Sequence, residues 1–122
     1  MISKAHYDNL NKSMIIYKNN SKTLNFISVA HKMLELYNTT HIYAVIGAYF
    51  QKQKDITNMI YYYKTGVGYG SYFSFIWLYE YYMSINQKDD AKMLCIHHKN
   101  ITTNNLIHKT IIRLLKHDHN FK

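Results

Sequence analysis

At 122 residues the chain has the length of one domain, enough to bury roughly two thirds of the surface its unfolded form exposes. One cysteine, Cys95, excludes an internal disulfide, and the opening MISKAHYDNL lacks the apolar run of a secretion signal, so an intracellular, cytoplasmic setting is expected. Fifteen Lys and Arg against seven Asp and Glu give a formal charge of +8, a field that draws acidic proteins, nucleic acid or anionic lipid without choosing among them.

No proline and only four glycines interrupt the sequence, which favours an all-α fold in one domain over residues 1–122. Thirteen tyrosines, abundant Ile and Asn, and a single arginine, Arg113, also fit codons from an AT-rich genome, so the Tyr and Lys counts carry little functional weight. Helix one is expected from Lys4 to Lys18, with Tyr7, Leu10, Met14 and Tyr17 on one face. Asn19 and Asn20 end it, and Ser21 is expected to cap helix two, whose inner face would be Leu24, Ile27, His31, Leu34 and Tyr37 before Asn38 closes it.

Thr39 or Thr40 is expected to cap helix three, with Tyr43, Ile46, Gly47 and Phe50 buried. Asp55 starts helix four, where a carboxylate complements the helix dipole, Met59, Tyr62 and Tyr63 face inward, and Gly66 terminates it. Ser71 caps a fifth helix that is apolar on nearly all sides, from Tyr72 to Met83, and marks the centre of the core. Asp89 and Asp90 start helix six, and Thr102 or Thr103 starts a last helix with Ile107, Ile111, Leu114 and Leu115 inside and Lys109, Arg113 and Lys116 outside.

Two of these stretches echo each other. Tyr43, Ile46 and Phe50 recur 32 residues later as Phe75, Leu78 and Tyr82, while Lys54, Asp55 and Met59 recur 34 later as Lys88, Asp89 and Met93. Such a period marks stacked supersecondary units, none of which buries its apolar face alone.

On these residues the chain resembles tetratricopeptide-type helical repeats, most closely the Tyr-rich short form of giant DNA viruses. Tyr43, Ile46, Gly47 and Phe50 fill the first-helix pattern, and Met59, Tyr63 and Gly66 the second. Phe75, Leu78, Tyr82, Ala91 and Cys95 fit the next unit, although Tyr79 and His98 stand where small residues are expected and imply looser or shifted packing. Tyr7, Leu10, Met14, Thr23, Ile27 and Ala30 give a weaker first unit. The resemblance implies about three stacked helix pairs plus a C-terminal capping helix, and a non-enzymatic scaffold that binds a peptide or protein in the groove of its first helices. That groove would present His41, Ala44, Ala48, Gln51 and Lys52 from one helix and Phe73, Ile76, Glu80, Met83 and Ser84 from the next. Phe73 and Ile76 could equally be covered by a terminal helix.

Other constellations are weaker. The run Gly66, Val67, Gly68, Tyr69, Gly70 follows a helix and joins two units, the context of a turn and not of a phosphate loop. Cys95, His97, His98 and His108 are metal-ligating types without paired ligand spacing, so no metal or cofactor is expected. Gly66 to Ile85 has the length of a membrane span but holds Glu80, so no membrane partner is expected. Glu80 must find a tyrosine or lysine partner or open onto the groove. Lys109, Arg113 and Lys116 are candidate phosphate contacts, and a basic RNA- or ribosome-associated protein, or a structural component of a virion or assembly, is the alternative to a protein-binding scaffold. The basic exterior favours acidic partners, and self-association is open.

Overall fold

The computed structural model describes residues 3–37 and 39–119, which form seven α-helices and no strand: α1 (Lys4–Asn19), α2 (Thr23–Tyr37), α3 (His41–Lys52), α4 (Ile56–Gly68), α5 (Tyr72–Ser84), α6 (Lys88–Lys99) and α7 (Asn105–Asp118). Four helix starts are closed by side chains that accept an orphan backbone N–H. Ser3 accepts from His6, Asp55 from Asn58, Ser71 from Ser74, and Asn104 from both Leu106 and Ile107. The last helix is therefore capped by Asn104, with Thr102 accepting the Asn104 amide in place of capping the helix itself. Thr40 precedes α3 in a helical conformation and makes no side-chain cap. Asn38, expected to close helix two, lies outside the described residues.

The turns carry a periodicity that the side chains hide. Ser21, Lys54 and Asn86 all have positive φ, at 55°, 61° and 60°, and each sits between the two helices of a hairpin. After each of them the backbone closes on the helix before it, Lys22 N–H on Tyr17 C=O, Asp55 on Phe50 and Gln87 on Tyr82, at 2.9, 2.9 and 2.8 Å. These are three copies of one left-handed helix stop, and they make hairpins of α1–α2, α3–α4 and α5–α6. Ser21 is thus the turn residue and not the cap of α2. The fourth positive φ belongs to Gly70, at 86°, where Ser71 N–H reaches Gly66 C=O at 2.8 Å. Gly70 ends α4, and Gly66, expected to do so, lies within the helix.

Aligning the hairpins on these turns sets the inner face of every second helix. Phe26, Ala30 and Met33 of α2, Met59, Tyr63 and Gly66 of α4, and Ala91, Cys95 and His98 of α6 occupy matching positions, and all nine are buried. The inner face expected for α2 is displaced by this register: Leu24 is 86% exposed and His31 is exposed, because α2 carries apolar residues on several sides and its hairpin turn selects which of them face the core. The same alignment shifts the first unit by three residues, pairing Tyr17, and not Met14, with Phe50 and Tyr82.

Each helix packs on its neighbours in sequence, and α5 also packs on α3 and on α7. One cluster of buried side chains runs from Met14 to Leu115, with Phe26, Tyr63 and Phe75 among its largest fully buried members. The apolar α5 lies at its middle, with Phe75 and Leu78 at 0% exposure. The terminal helix is tied down at three places. Asn104 donates to Gly70 C=O at 2.8 Å, His108 bonds Lys99 C=O through Nδ1 at 2.9 Å, and the Tyr79 hydroxyl donates to Asp118 at 2.8 Å.

Candidate functional site

With the hairpins in place, α3 and α5 present matching stripes. His41, Val45, Ala48 and Lys52 follow one face of α3 at helical spacing, and Phe73, Trp77, Glu80 and Ser84 follow the corresponding face of α5, each 32 residues later. Three depressions lie along these stripes. The first, about 340 Å³, runs between the end of α1, at Lys18 and Asn19, and Val45, Ala48, Lys52 and Trp77. The second, about 360 Å³, has Ala48, Gln51, Tyr63, Trp77, Glu80 and Ser84 around it. The third, about 520 Å³, lies between α5 and α7, with Glu80, Met83 and Ser84 facing Arg113, Leu114 and Asp118. Ala48 and Trp77 line both of the first two, and Glu80 and Ser84 both of the last two, so the three lie side by side as a trough toward the C-terminal ends of the odd-numbered helices.

The floor is fixed by core contacts. Tyr63, 1% exposed, donates its hydroxyl to Gln51 Oε1 at 2.9 Å, and burial pushes its pKa up to about 12, so it stays a neutral donor at physiological pH. Its ring meets the Trp77 indole edge-on, with centroids 6.4 Å apart. Tyr79 anchors the far wall. Its single proton goes to Asp118, which leaves His119 Nε2, 2.9 Å away, as the donor to the phenolic oxygen. Burial first, and then the hydrogen bond and charge of Asp118, raise the pKa of Tyr79.

Of the groove residues expected from the sequence, Ala48, Gln51, Lys52, Ile76, Glu80, Met83 and Ser84 line the trough. Glu80 is exposed and opens onto it. Phe73 is half-exposed and rests its ring 5.5 Å from Trp77, one turn before the trough, while His41 sits exposed at the first residue of α3, outside the lining. Ala44 is 1% exposed and belongs to the core. Lys109 and Lys116 are exposed on the outer side of α7, but Arg113 reaches the trough wall. Trp77, Val45 and Lys18 also line the trough without standing out in the sequence, where the signal for Trp77 is its place in the Phe73, Glu80 and Ser84 stripe.

Lys18, Lys52 and Arg113 put cationic side chains at both ends of the trough, and Glu80 stands between them. Outside the trough, Cys95 and His98 are packed into the core. Cys95 is buried in α6, where burial and then the charge of Asp118 push its thiol up to about 12. His98, also buried, has its pKa lowered by burial, by His97 and by Lys64. Among the described residues no group of three or more His, Cys, Asp or Glu is placed to hold a metal ion, and no helix is long and apolar enough to cross a membrane. Comparison with family models, with curated proteins and with solved structures finds no match to this chain.

Proposed function

We propose that the chain is a tetratricopeptide-like stack of three hairpins and a capping helix that works as a protein-interaction scaffold, holding a peptide or protein surface in the trough. The observation that carries the reading is the row of three adjacent depressions that share Trp77 and Glu80 in their linings. A half-buried Trp beside exposed polar groups has the make-up of an interface hot spot, where aromatic anchors supply most of the affinity. The recurring left-handed turns and the packing of α5 on both α3 and α7 support the stacked arrangement. The flanking Lys18, Lys52 and Arg113 favour a partner with acidic groups around an apolar anchor.

The test is capture from the native cell at two salt concentrations with three forms of the protein. Trp77→Ala combined with Glu80→Lys should lose the partner while retaining its circular dichroism; Lys109→Glu combined with Lys116→Glu, outside the trough, should keep it. Trp77 is the only tryptophan, so its emission should shift when the captured segment is added back. Loss of the partner with the α7 pair, together with a steep salt dependence, would support the nucleic-acid alternative.

A further inference from the structure

A fourth depression shares no lining residue with the trough. It measures about 370 Å³, within the range of small-ligand sites, and is bounded by His31, Leu34 and Glu35 of α2, Thr40 and Tyr43 at the start of α3, and Tyr69 after α4. Tyr43 and Tyr69 are stacked, with centroids 5.4 Å apart and planes within 4°. The stack uses one face of Tyr69, yet the residue is 65% exposed, so its other face is open. An aromatic face carries the negative part of the ring quadrupole and attracts cations.

Two further features add negative potential at the same place. Glu35 contributes the one carboxylate of the lining. The C-terminal end of α2 also reaches the site, and it has no basic residue in its last turn to offset the negative end of its dipole. His31 is engaged with the Tyr62 hydroxyl at 3.0 Å, and its ring lies 5.8 Å from that of Tyr62. A carboxylate beside a pair of tyrosine rings, on a chain of charge +8, is the reverse of what an anion would require.

From this juxtaposition we infer that the depression is a binding site for an organic cation, an alkylated ammonium or guanidinium group, held over the open face of Tyr69 and neutralised by Glu35. The overall positive charge of the protein opposes a cation at long range, so the affinity comes from these local contacts and is weak for the isolated group.

The test uses choline and methylguanidinium as probes, with 3,3-dimethylbutan-1-ol as the neutral isostere of choline, followed by the ring resonances of Tyr43 and Tyr69 in NMR. Saturable shifts are expected for the cations at millimolar concentration and none for the isostere. A stronger response to choline points to a quaternary ammonium source, and a stronger response to methylguanidinium to an arginine side chain. Tyr69→Leu and Glu35→Gln, both at exposed positions, should each weaken binding about threefold to fivefold, the effect of removing one exposed cation–π or charge contact. The inference is overturned if the isostere binds as well as choline, if no cation shifts these rings, or if both variants bind like the parent. Trp77 emission should not respond to either probe, which separates this site from the trough.

Discussion

The second and third hairpins share one backbone turn and one register, yet they solve the contact between their helices in different ways. In α3–α4 the matching positions hold Gly47 and Gly66. A Cβ at Gly47 would strike the Tyr63 ring, and one at Gly66 would strike the Ser74 side chain and Tyr43 Cβ, at 2.7 Å for the latter. In α5–α6 the same positions, 32 residues on, hold Tyr79 and His98, both buried. The backbones of α3 and α4 accordingly run close together over more of their length than those of α5 and α6. Small residues let one hairpin close on itself, and bulky polar rings hold the other open while reaching outward, Tyr79 to Asp118 and His119 of the capping helix. The difference teaches that a repeat can keep its turns and its register while changing what it packs against.

The largest test of this contrast is truncation at the central position of each second helix. Tyr63→Ala should cost about 3–5 kcal/mol in urea unfolding, because the fully buried ring fills the notch at Gly47. Cys95→Ala, the matching change in α6, should cost only about 1 kcal/mol, since a single sulfur is removed. Equal losses would mean that the two hairpins are built alike.

Alkaline unfolding follows from the same buried phenols. Tyr63 is held at about 12 against an ordinary 10.0, and burial also raises Tyr79 and Tyr82. Below pH 10 the phenol is neutral in both folded and unfolded chains, and its contribution is complete. Between pH 10 and 12 only the unfolded chain ionises at Tyr63, so stability should fall by about 1.4 kcal/mol per pH unit through this group, with Tyr79 and Tyr82 adding in the same direction. Thermal melts across pH 8–12 check this, and Tyr63→Phe should flatten the slope.

Smaller effects probe the outward contacts of the third hairpin. Tyr79→Phe removes both hydrogen bonds to the end of α7 and should cost about 1 kcal/mol, with faster amide exchange confined to the last turns of that helix. Lys54→Gly should stabilise by about 0.5–1 kcal/mol by relieving a left-handed backbone, whereas Asn86→Gly should gain less, because asparagine already tolerates that conformation.

These particular residues also explain how far the sequence could be read. The echo of Tyr43, Ile46 and Phe50 in Phe75, Leu78 and Tyr82 was legible because a buried helix stripe depends on apolar size at fixed spacing. The recurrence of Ser21, Lys54 and Asn86 was not, since a left-handed turn constrains φ and these three side chains have nothing else in common. Without it, the apolar pattern alone sets the first unit three residues out of register and puts Leu24 in place of Phe26 on the inner face of α2. Gly66 resembles a helix stop because glycine favours the left-handed position just after a last turn, whereas its place is against Ser74 and the stop is Gly70. In the trough, Gln51, Lys52, Glu80 and Met83 were legible as residues that the core pattern leaves over. Trp77 was not, because a large aromatic in an apolar helix reads as core until its neighbours leave part of it uncovered.

The joining of the odd-numbered helices around Trp77 is tested most directly by nuclear Overhauser contacts from the indole ring in the full chain. The structure predicts cross-peaks to the Tyr63 ring and to the methyl group of Ala48, with the indole still accessible to a small quencher. An indole with no contact to α3 or α4, or one fully shielded within a closed bundle, would contradict the trough and the stacking on which it depends.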